Sequence, residues 1–178
     1  VDAVLFTGSY EVGTRIKQDT LQQHWKLLAL EMGGKNSAIV CEDAVMDVAL
    51  LETVIGSFLT TGQRCSATSR ILVHKSILKE FSNRFHDRAK AFEIGHPYKN
   101  PFMGPLIDQS SVDRYQKFLG IAAREGFELV MRGKSLSLDV EGHYVAPSIC
   151  LRTSMTRDQV QKSIYQQTEL FAPNVSII

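Results

Sequence analysis

One cysteine stands in a segment suited to nucleophilic chemistry. Cys65 lies within TGQRCSATSR, residues 61–70, among small and hydroxylated residues and directly after Arg64. A free thiol ionises at about pH 8.5, so surroundings that favour the thiolate are needed for attack at neutral pH. A helical turn beginning at residues 65–69 would direct backbone N–H groups at the sulfur, and Arg64 would add positive charge. The alternative is a small buried apolar residue, a common fate of free cysteines.

A glutamate provides the second chemical feature. Glu31 lies in LALEMGGKN, residues 28–36, at the end of an otherwise apolar predicted strand. A carboxylate is costly to bury without a purpose, and one held near a ligand can act as a base toward water. Gly33 and Gly34 permit close backbone approach at a strand end, where ligands of α/β proteins bind. A solvated strand-end glutamate is the other interpretation of this pattern.

The other two cysteines are not candidates for catalysis, but the cysteine content as a whole indicates a cellular compartment. Cys41 follows the apolar run SAIV and Cys150 lies within SICL, so both are predicted to fill the core. Three cysteines without CxxC spacing favour neither a disulfide framework nor a zinc site. This usage predicts a reducing, cytoplasmic location.

Composition excludes several classes of function. The 178 residues carry a net charge of +1, with 44% hydrophobic and 22% charged residues. This profile is typical of a soluble globular protein and offers no electrostatic attraction to nucleic acid or to an anionic membrane. No apolar run approaches the ~20 residues of a membrane-spanning helix. The sequence begins without Met on VDAVLFTGS and ends on NVSII, so we expect a piece of a longer protein.

Hydrophobic periodicity predicts strands that alternate with helices. The predicted strands are AVLFTGS, KLLALEMGG, SAIVC, SRILVHKS, FELVMRGK, HYVAPSICLR and NVSII. The predicted helices are EVGTRIKQDTLQQ, EDAVMDVALLETVIGSFLTTG, ILKEFSNRFHDRAKAF and SSVDRYQKFLGIAAREG, the last with Ser110 or Ser111 as its N-cap. Residues 95–107 are predicted to form a long loop, and 152–168 an irregular segment with one helical turn. The alternation predicts an α/β fold with a central, largely parallel sheet and helices on both faces.

A series of motifs then carries a resemblance to a known family. FTGS, LEMGGKN, GQRC followed by SR, MGPLI, YVAPSI and ELFAP occur in the order found in the aldehyde dehydrogenase superfamily, across residues 1–178. The resemblance implies that Cys65 attacks an aldehyde to give a thiohemiacetal, that hydride leaves to nicotinamide, and that Glu31 activates the water that hydrolyses the remaining thioester. It further implies the end of a Rossmann-like NAD(P)-binding domain at 1–34 and a truncated catalytic domain at 35–178, with the site at their junction.

The resemblance also assigns residues to the cofactor, which we expect to be NAD, with NADP not excluded. Gly33 would lie beside the nicotinamide, while Glu169 and Phe171 would hold the nicotinamide ribose and pack against the ring. The turn and helix start beside the pyrophosphate would be formed by Gly8, Ser9, Tyr10, Glu11, Val12 and Gly13. Two positions depart from the family pattern, with Ala172 in place of the usual Gly and Ser37 where Pro is common.

Within the superfamily, LALEMGGKN and TTGQRCSATSR are most similar to succinylglutamate semialdehyde dehydrogenases of bacterial arginine breakdown, and next to glutamate semialdehyde (pyrroline-5-carboxylate) dehydrogenases. Arg64 and Ser66 are candidates to contact the substrate carboxylate. A homo-oligomer is expected for the full-length protein. Because the family's oxyanion-stabilising Asn would precede residue 1, we expect the isolated chain to be inactive. A non-catalytic module that binds a partner through its strand edges, and acylation or redox sensing at Cys65, remain alternatives.

Overall fold

The computed structural model describes residues 1–178, which form two compact units, Val1–Gly34 and Lys35–Ile178. The assignment of these units to a cofactor domain and a catalytic domain stays a prediction. No helix combines the length and the apolar character needed to cross a membrane.

The first unit is a single strand–helix–strand motif. It contains β1 (Ala3–Gly8), α1 (Tyr10–Asp19) and β2 (Leu27–Met32), and the two strands pair in parallel. The side chains of β1, an apolar strand, are mostly exposed, since only one helix and one other strand cover it in this unit. The close crossing of α1 over the sheet occurs at the buried Gly13, where an added Cβ would lie 2.5 Å from the Met32 sulfur.

The second unit contains a mixed five-stranded sheet. Its strands run in the spatial order β3-β4-β9-β8-β5; β5 is antiparallel to β8 and the other neighbours are parallel. The strands of this unit are β3 (Asn36–Val40), β4 (Thr68–Val73), β5 (Glu128–Met131), β6 (Ser135–Leu136), β7 (Tyr144–Val145), β8 (Ser148–Leu151) and β9 (Asn174–Ile177), of which β6 and β7 form a separate antiparallel pair. The predicted α/β class and largely parallel sheet are confirmed.

Helices cover both faces of this sheet. Ile149 and Cys150 of β8 are fully buried in two different apolar clusters, because successive side chains of a strand point to opposite faces. One cluster contains side chains of the second and third helices and the other those of the fourth and sixth. The helices of this unit are α2 (Met46–Phe58), α3 (Leu78–Lys90), α4 (Gln109–Arg124), α5 (Arg157–Lys162) and α6 (Ile164–Gln167), with short 3₁₀ helices at Leu59–Gly62 and Pro97–Lys99.

Two expectations about helices were wrong. The N-cap of α4 is Asp108, whose carboxylate accepts a hydrogen bond from Ser111 N at 2.7 Å, rather than Ser110 or Ser111. The segment 152–168 contains two short helices rather than one turn. The first begins with a capping box between Thr156 and Gln159, a signature present in the sequence as TRDQ.

The cysteines divide differently from the expectation. Cys150 is fully buried, as predicted, and burial raises the pKa of its thiol. Cys41, predicted to be a core residue, is exposed. It directly follows β3, which lies at the edge of the sheet, so nothing in this unit covers it from that side.

Candidate active site

Cys65 lies in a tight turn between α2 and β4. The turn spans Arg64–Ala67 and is closed by a hydrogen bond from Ala67 N to Arg64 O at 3.0 Å. The thiol-bearing residue is exposed. No helical turn begins at residues 65–69, since β4 begins at Thr68 and pairs with β3 and β9. The sulfur is therefore presented by a turn, and no helix N-terminus begins there.

The chain reverses direction just before this turn through three left-handed residues. Thr60 and Thr61 both have φ of 58° and Gly62 has φ of 67°. This conformation is ordinary for glycine but costs a threonine about 1–2 kcal/mol, so surrounding contacts must hold it. The buried Thr61 hydroxyl supplies one such contact, donating to Gly104 O at 3.0 Å and accepting from Gly104 N at 3.1 Å.

A second side chain joins the Cys65 segment to the same loop. The Gln63 amide donates from Nε2 to Pro105 O at 3.1 Å and accepts at Oε1 from Ile107 N at 3.0 Å. Thr61 and Gln63 therefore join the GQRC segment to the MGPLI loop through four hydrogen bonds, two that they donate and two that they accept.

The two substrate candidates differ in their contacts. The Arg64 guanidinium donates from Nη2 to Ile55 O of α2 at 3.2 Å, while its Nε is buried without a partner. The Arg64 side chain therefore connects the turn to α2. Ser66 is exposed beside Cys65. A substrate role for either residue stays a prediction.

Asn36 contacts the Cys65 turn directly, and no role was assigned to it from the sequence. Its side-chain Nδ2 donates to Cys65 O at 2.7 Å and to Ala67 O at 3.3 Å. Asn36 opens β3 opposite Thr68, the first residue of β4, and a register irregularity follows between Asn36 and Ser37. The only sequence signal was an amide side chain at the start of a strand next to the motif glycines.

Lys35 is the second residue that the sequence did not single out. Its ammonium lies 4.5 Å above the Tyr165 ring centroid and donates to Thr168 O at 3.2 Å. Burial, with a smaller contribution from the nearby charge of Arg70, lowers the pKa of Lys35 from 10.5 to about 8, while Cys150 and nearby carboxylates oppose the shift. The Arg70 guanidinium also donates to Lys35 O.

The ELFAP motif forms an irregular segment that approaches Gly62, three residues before Cys65. Phe171 has a φ of 53° and is 43% exposed. Ala172 is buried, and an added Cβ on Gly62 would lie 2.4 Å from its carbonyl oxygen. The left-handed conformation in this motif thus falls on Phe171, and the Ala that replaces the family's Gly at 172 packs in the core.

The first unit contains the other predicted site residues. Glu31 is exposed on β2, paired with Thr7 of β1, rather than partly buried. Ser9 is the N-cap of α1, and its Oγ accepts from Val12 N at 3.3 Å. Of the remaining predicted cofactor residues of this unit, Gly8 ends β1 and Tyr10, Glu11, Val12 and Gly13 lie in the first turns of α1. Gly33 directly follows β2, whose last residue, Met32, pairs with Gly8.

Both predicted cofactor regions suit a dinucleotide. The start of α1 follows the carboxyl end of a parallel strand and is exposed, which is the usual geometry for a phosphate group at a helix N-terminus. In the second unit, Phe171 exposes an aromatic ring against which a planar ring can pack.

Comparisons with known proteins identify the family. The model of the aldehyde dehydrogenase family matches residues 1–178. The chain is 35% identical over 182 residues to an alpha-ketoglutaric semialdehyde dehydrogenase of Bacillus subtilis, with 100% of this chain and 36% of that protein covered. It is 35% identical over 179 residues to a 1-pyrroline-5-carboxylate dehydrogenase of Bacillus licheniformis, with 97% and 33% covered.

A solved structure gives the same result. Betaine aldehyde dehydrogenase of Staphylococcus aureus in complex with NAD+ is 30% identical, with a TM-score of 0.91 over 100% of this chain and 35% of that one. Other structures of that enzyme contain a BME-modified cysteine. The chain belongs to the aldehyde dehydrogenase family, and it spans about a third of the length of the curated relatives it matches.

Replacing Gly62 tests the close approach of the Cys65 segment to the ELFAP motif. We expect Gly62→Ala to lower the free energy of unfolding by about 1–3 kcal/mol, because it adds left-handed strain and a clash with the Ala172 carbonyl. Denaturant unfolding measures the change. Gly120→Ala is the matched control: Gly120 is helical with nothing within 4 Å of an added Cβ, so stability should rise by roughly 0.5–1 kcal/mol. Equal effects of the two substitutions would show that the left-handed Gly62 is not a constrained position.

The lowered pKa of Lys35 predicts a pH dependence of stability. Folded Lys35 loses its proton near pH 8, whereas the unfolded chain keeps it to about 10.5, so the unfolded state binds more protons in this interval. The stability of the wild type relative to Lys35→Met should therefore rise from pH 8 to 10.5 and be flat below pH 7. Urea unfolding of both proteins at matched pH values measures this difference. If the stability of the wild type relative to Lys35→Met instead fell between pH 8 and 10.5, folded Lys35 would keep its proton in this interval and its pKa would not be lowered.

Proposed function

We propose that this protein oxidises an aldehyde to the corresponding acid with NAD as the acceptor, using Cys65 as the nucleophile and Glu31 as the base. The proposal rests on membership of the aldehyde dehydrogenase family and on one structural observation. That observation is the exposure of Cys65 on a turn whose backbone is held by side chains. Asn36 donates to the carbonyl oxygens of Cys65 and Ala67, and Gln63 donates to Pro105 O.

The three cysteines differ in their fitness for this role. Cys150 is fully buried with its thiol pKa raised by burial, which disfavours the thiolate. Cys41 is exposed but follows an edge strand, and its motif has no counterpart in the series that defines the resemblance. Cys65 combines exposure with a fixed backbone, which favours a repeatable angle of attack on a carbonyl carbon.

The chemistry divides aldehyde oxidation into two steps at this sulfur. The Cys65 thiolate forms an S–C bond to the aldehyde carbon as the carbonyl π electrons move to oxygen, which gives a thiohemiacetal. Bound NAD would supply the acceptor for the hydride of that carbon. As hydride leaves, the oxygen electrons re-form the C=O bond, so that a thioester to Cys65 remains. Glu31 then takes a proton from water as the water oxygen adds to the thioester carbon, and collapse of this adduct breaks the C–S bond, which releases the acid and restores the Cys65 thiolate.

The residues proposed to hold NAD lie in both units. Ser9 and the backbone of the first turn of α1 would bind the pyrophosphate, with Gly33 close to the nicotinamide. Glu169 would accept hydrogen bonds from the nicotinamide ribose, and Phe171 would pack against the ring. Exposure of the α1 start and of Phe171 supports these roles.

For the substrate, we propose a carboxylated semialdehyde, with N-succinylglutamate 5-semialdehyde first and glutamate semialdehyde (pyrroline-5-carboxylate) as the alternative. Two relatives named for ketoglutaric semialdehyde and pyrroline-5-carboxylate support the class. Ser66 is the stronger local candidate for the substrate carboxylate, since the guanidinium of Arg64 donates to Ile55 O. A homo-oligomer in the cytoplasm stays a prediction.

Variants of the proposed catalytic residues separate the two steps. In the full-length protein, Cys65→Ser should remove both turnover and the first-turnover burst of NADH, while Cys41→Ser should leave both unchanged. Glu31→Gln should lower steady-state turnover by about 10²–10⁴-fold but retain the burst, because the base acts only after the thioester has formed. Stopped-flow absorbance of NADH measures both quantities. Turnover retained in Cys65→Ser would overturn the assignment.

Substrate selectivity provides a separate test. We expect kcat/KM to be at least ~10-fold higher for a carboxylated semialdehyde than for an uncharged aldehyde of equal length, because a charge-assisted hydrogen bond distinguishes them. Assays with N-succinylglutamate 5-semialdehyde, glutamate semialdehyde and the uncharged aldehyde rank the candidates. A preference for the uncharged aldehyde would rule out the semialdehyde class and leave the oxidation chemistry standing.

A further inference from the structure

Two adjacent side chains reach the two parts of the proposed site that lie within the second unit. Asn36 donates to the carbonyl oxygens of Cys65 and Ala67, and Lys35 donates to the carbonyl oxygen of Thr168, one residue before Glu169. The two partners are remote in sequence but are held from a single dipeptide at the start of β3.

We propose that Lys35 and Asn36 are positioning residues, with Asn36 setting the orientation of the Cys65 turn and Lys35 setting that of the segment carrying Glu169 and Phe171. The proposal rests on the proposed function for the roles of Cys65 and Glu169. It extends that function by assigning to each member of the dipeptide a separate part of the reaction.

The Asn36 contacts suit this role because one amide group serves both carbonyls. A side-chain amide has two N–H donors, and here Nδ2 reaches Cys65 O at 2.7 Å and Ala67 O at 3.3 Å. Both accepting residues belong to the turn that presents the sulfur. Their carbonyls are thereby fixed relative to β3, so the turn has one preferred orientation.

Lys35 is itself held from several sides before it reaches Thr168. Its carbonyl accepts from the guanidinium of Arg70 on β4, and its ammonium lies over the Tyr165 ring of α6. The Tyr165 hydroxyl in turn donates to the buried Asn174 Oδ1 at 2.8 Å. The hydrogen bond from Lys35 to Thr168 O therefore comes from a constrained side chain, which makes it an effective support for the segment that follows.

The test uses Asn36→Leu and Lys35→Met, each of which keeps side-chain bulk and removes the donors. Hydrogen exchange is measured by mass spectrometry on the purified protein. Asn36→Leu should speed exchange in residues 63–68 but leave 167–172 unchanged, and Lys35→Met should do the reverse. Rates that change in both segments in each variant would indicate general loosening and overturn the proposal, as would unchanged rates in both.

Thiol reactivity gives a readout independent of dehydrogenase activity. The rate of iodoacetamide alkylation at Cys65 divided by that at the exposed Cys41 should fall about 3–10-fold in Asn36→Leu, the factor expected for one or two lost hydrogen bonds, and should be unchanged in Lys35→Met. Cys41 is the internal reference for reagent and pH. An unchanged ratio in Asn36→Leu would remove the role of Asn36.

Kinetics of the full-length protein connect the proposal to function. Asn36→Leu should lower kcat with little change in KM for NAD, while Lys35→Met should raise KM for NAD several-fold with a smaller effect on kcat. The reversed pattern would refute the division of roles. Failure of the proposed function is a distinct result, because a wild-type protein without NAD-dependent turnover leaves the hydrogen-exchange and alkylation outcomes fully interpretable.

Discussion

The left-handed reversal at Thr60–Gly62 is the constraint on which the geometry around Cys65 depends. Parallel β3 and β4 require a crossover, and α2 provides it, so the chain must turn sharply to enter β4 from the correct end. Two threonines in this conformation are unfavourable by themselves. Their cost is offset by the hydrogen bonds of Thr61 to Gly104 and by the close packing of Gly62 on Ala172. The MGPLI and ELFAP motifs are thus structural supports of the reversal as well as neighbours of the thiol.

The register of β3 against β4 explains why the positioning contacts fall on Asn36. Because Asn36 pairs with Thr68, it lies opposite the residue that directly follows the Cys65 turn. The irregularity after Asn36 shifts the pairing by one residue, which is a common way to re-aim a side chain next to a functional site.

Most strands and helices were predicted from the sequence, because hydrophobic periodicity is a local property of each segment. Prediction failed where two neighbouring residues were equally suitable for one role, and where a contact joins residues far apart in the sequence. Asp108 and the serines after it are equally good N-caps, so composition did not choose between them. Asn36 contacts Cys65 across 29 residues and Lys35 contacts Thr168 across 133, separations that a single sequence does not connect.

Buried polar side chains form hydrogen bonds between β9 and α6, the helix that precedes the segment with Glu169. Asn174 of β9 accepts from the Tyr165 hydroxyl and donates to Ser148 Oγ at 2.8 Å, and Ser176 accepts from Gln166 Nε2 at 3.0 Å. Apolar packing tolerates small rotations of a helix on a sheet, whereas directional hydrogen bonds do so poorly. One atom of this layer, the buried Gln166 Oε1, has no hydrogen-bond partner. Polar side chains on β9 therefore fix α6 in one orientation, and α6 leads directly into Thr168. The hydrogen bond from the Tyr165 hydroxyl to Asn174 also fixes the ring over which the Lys35 ammonium lies.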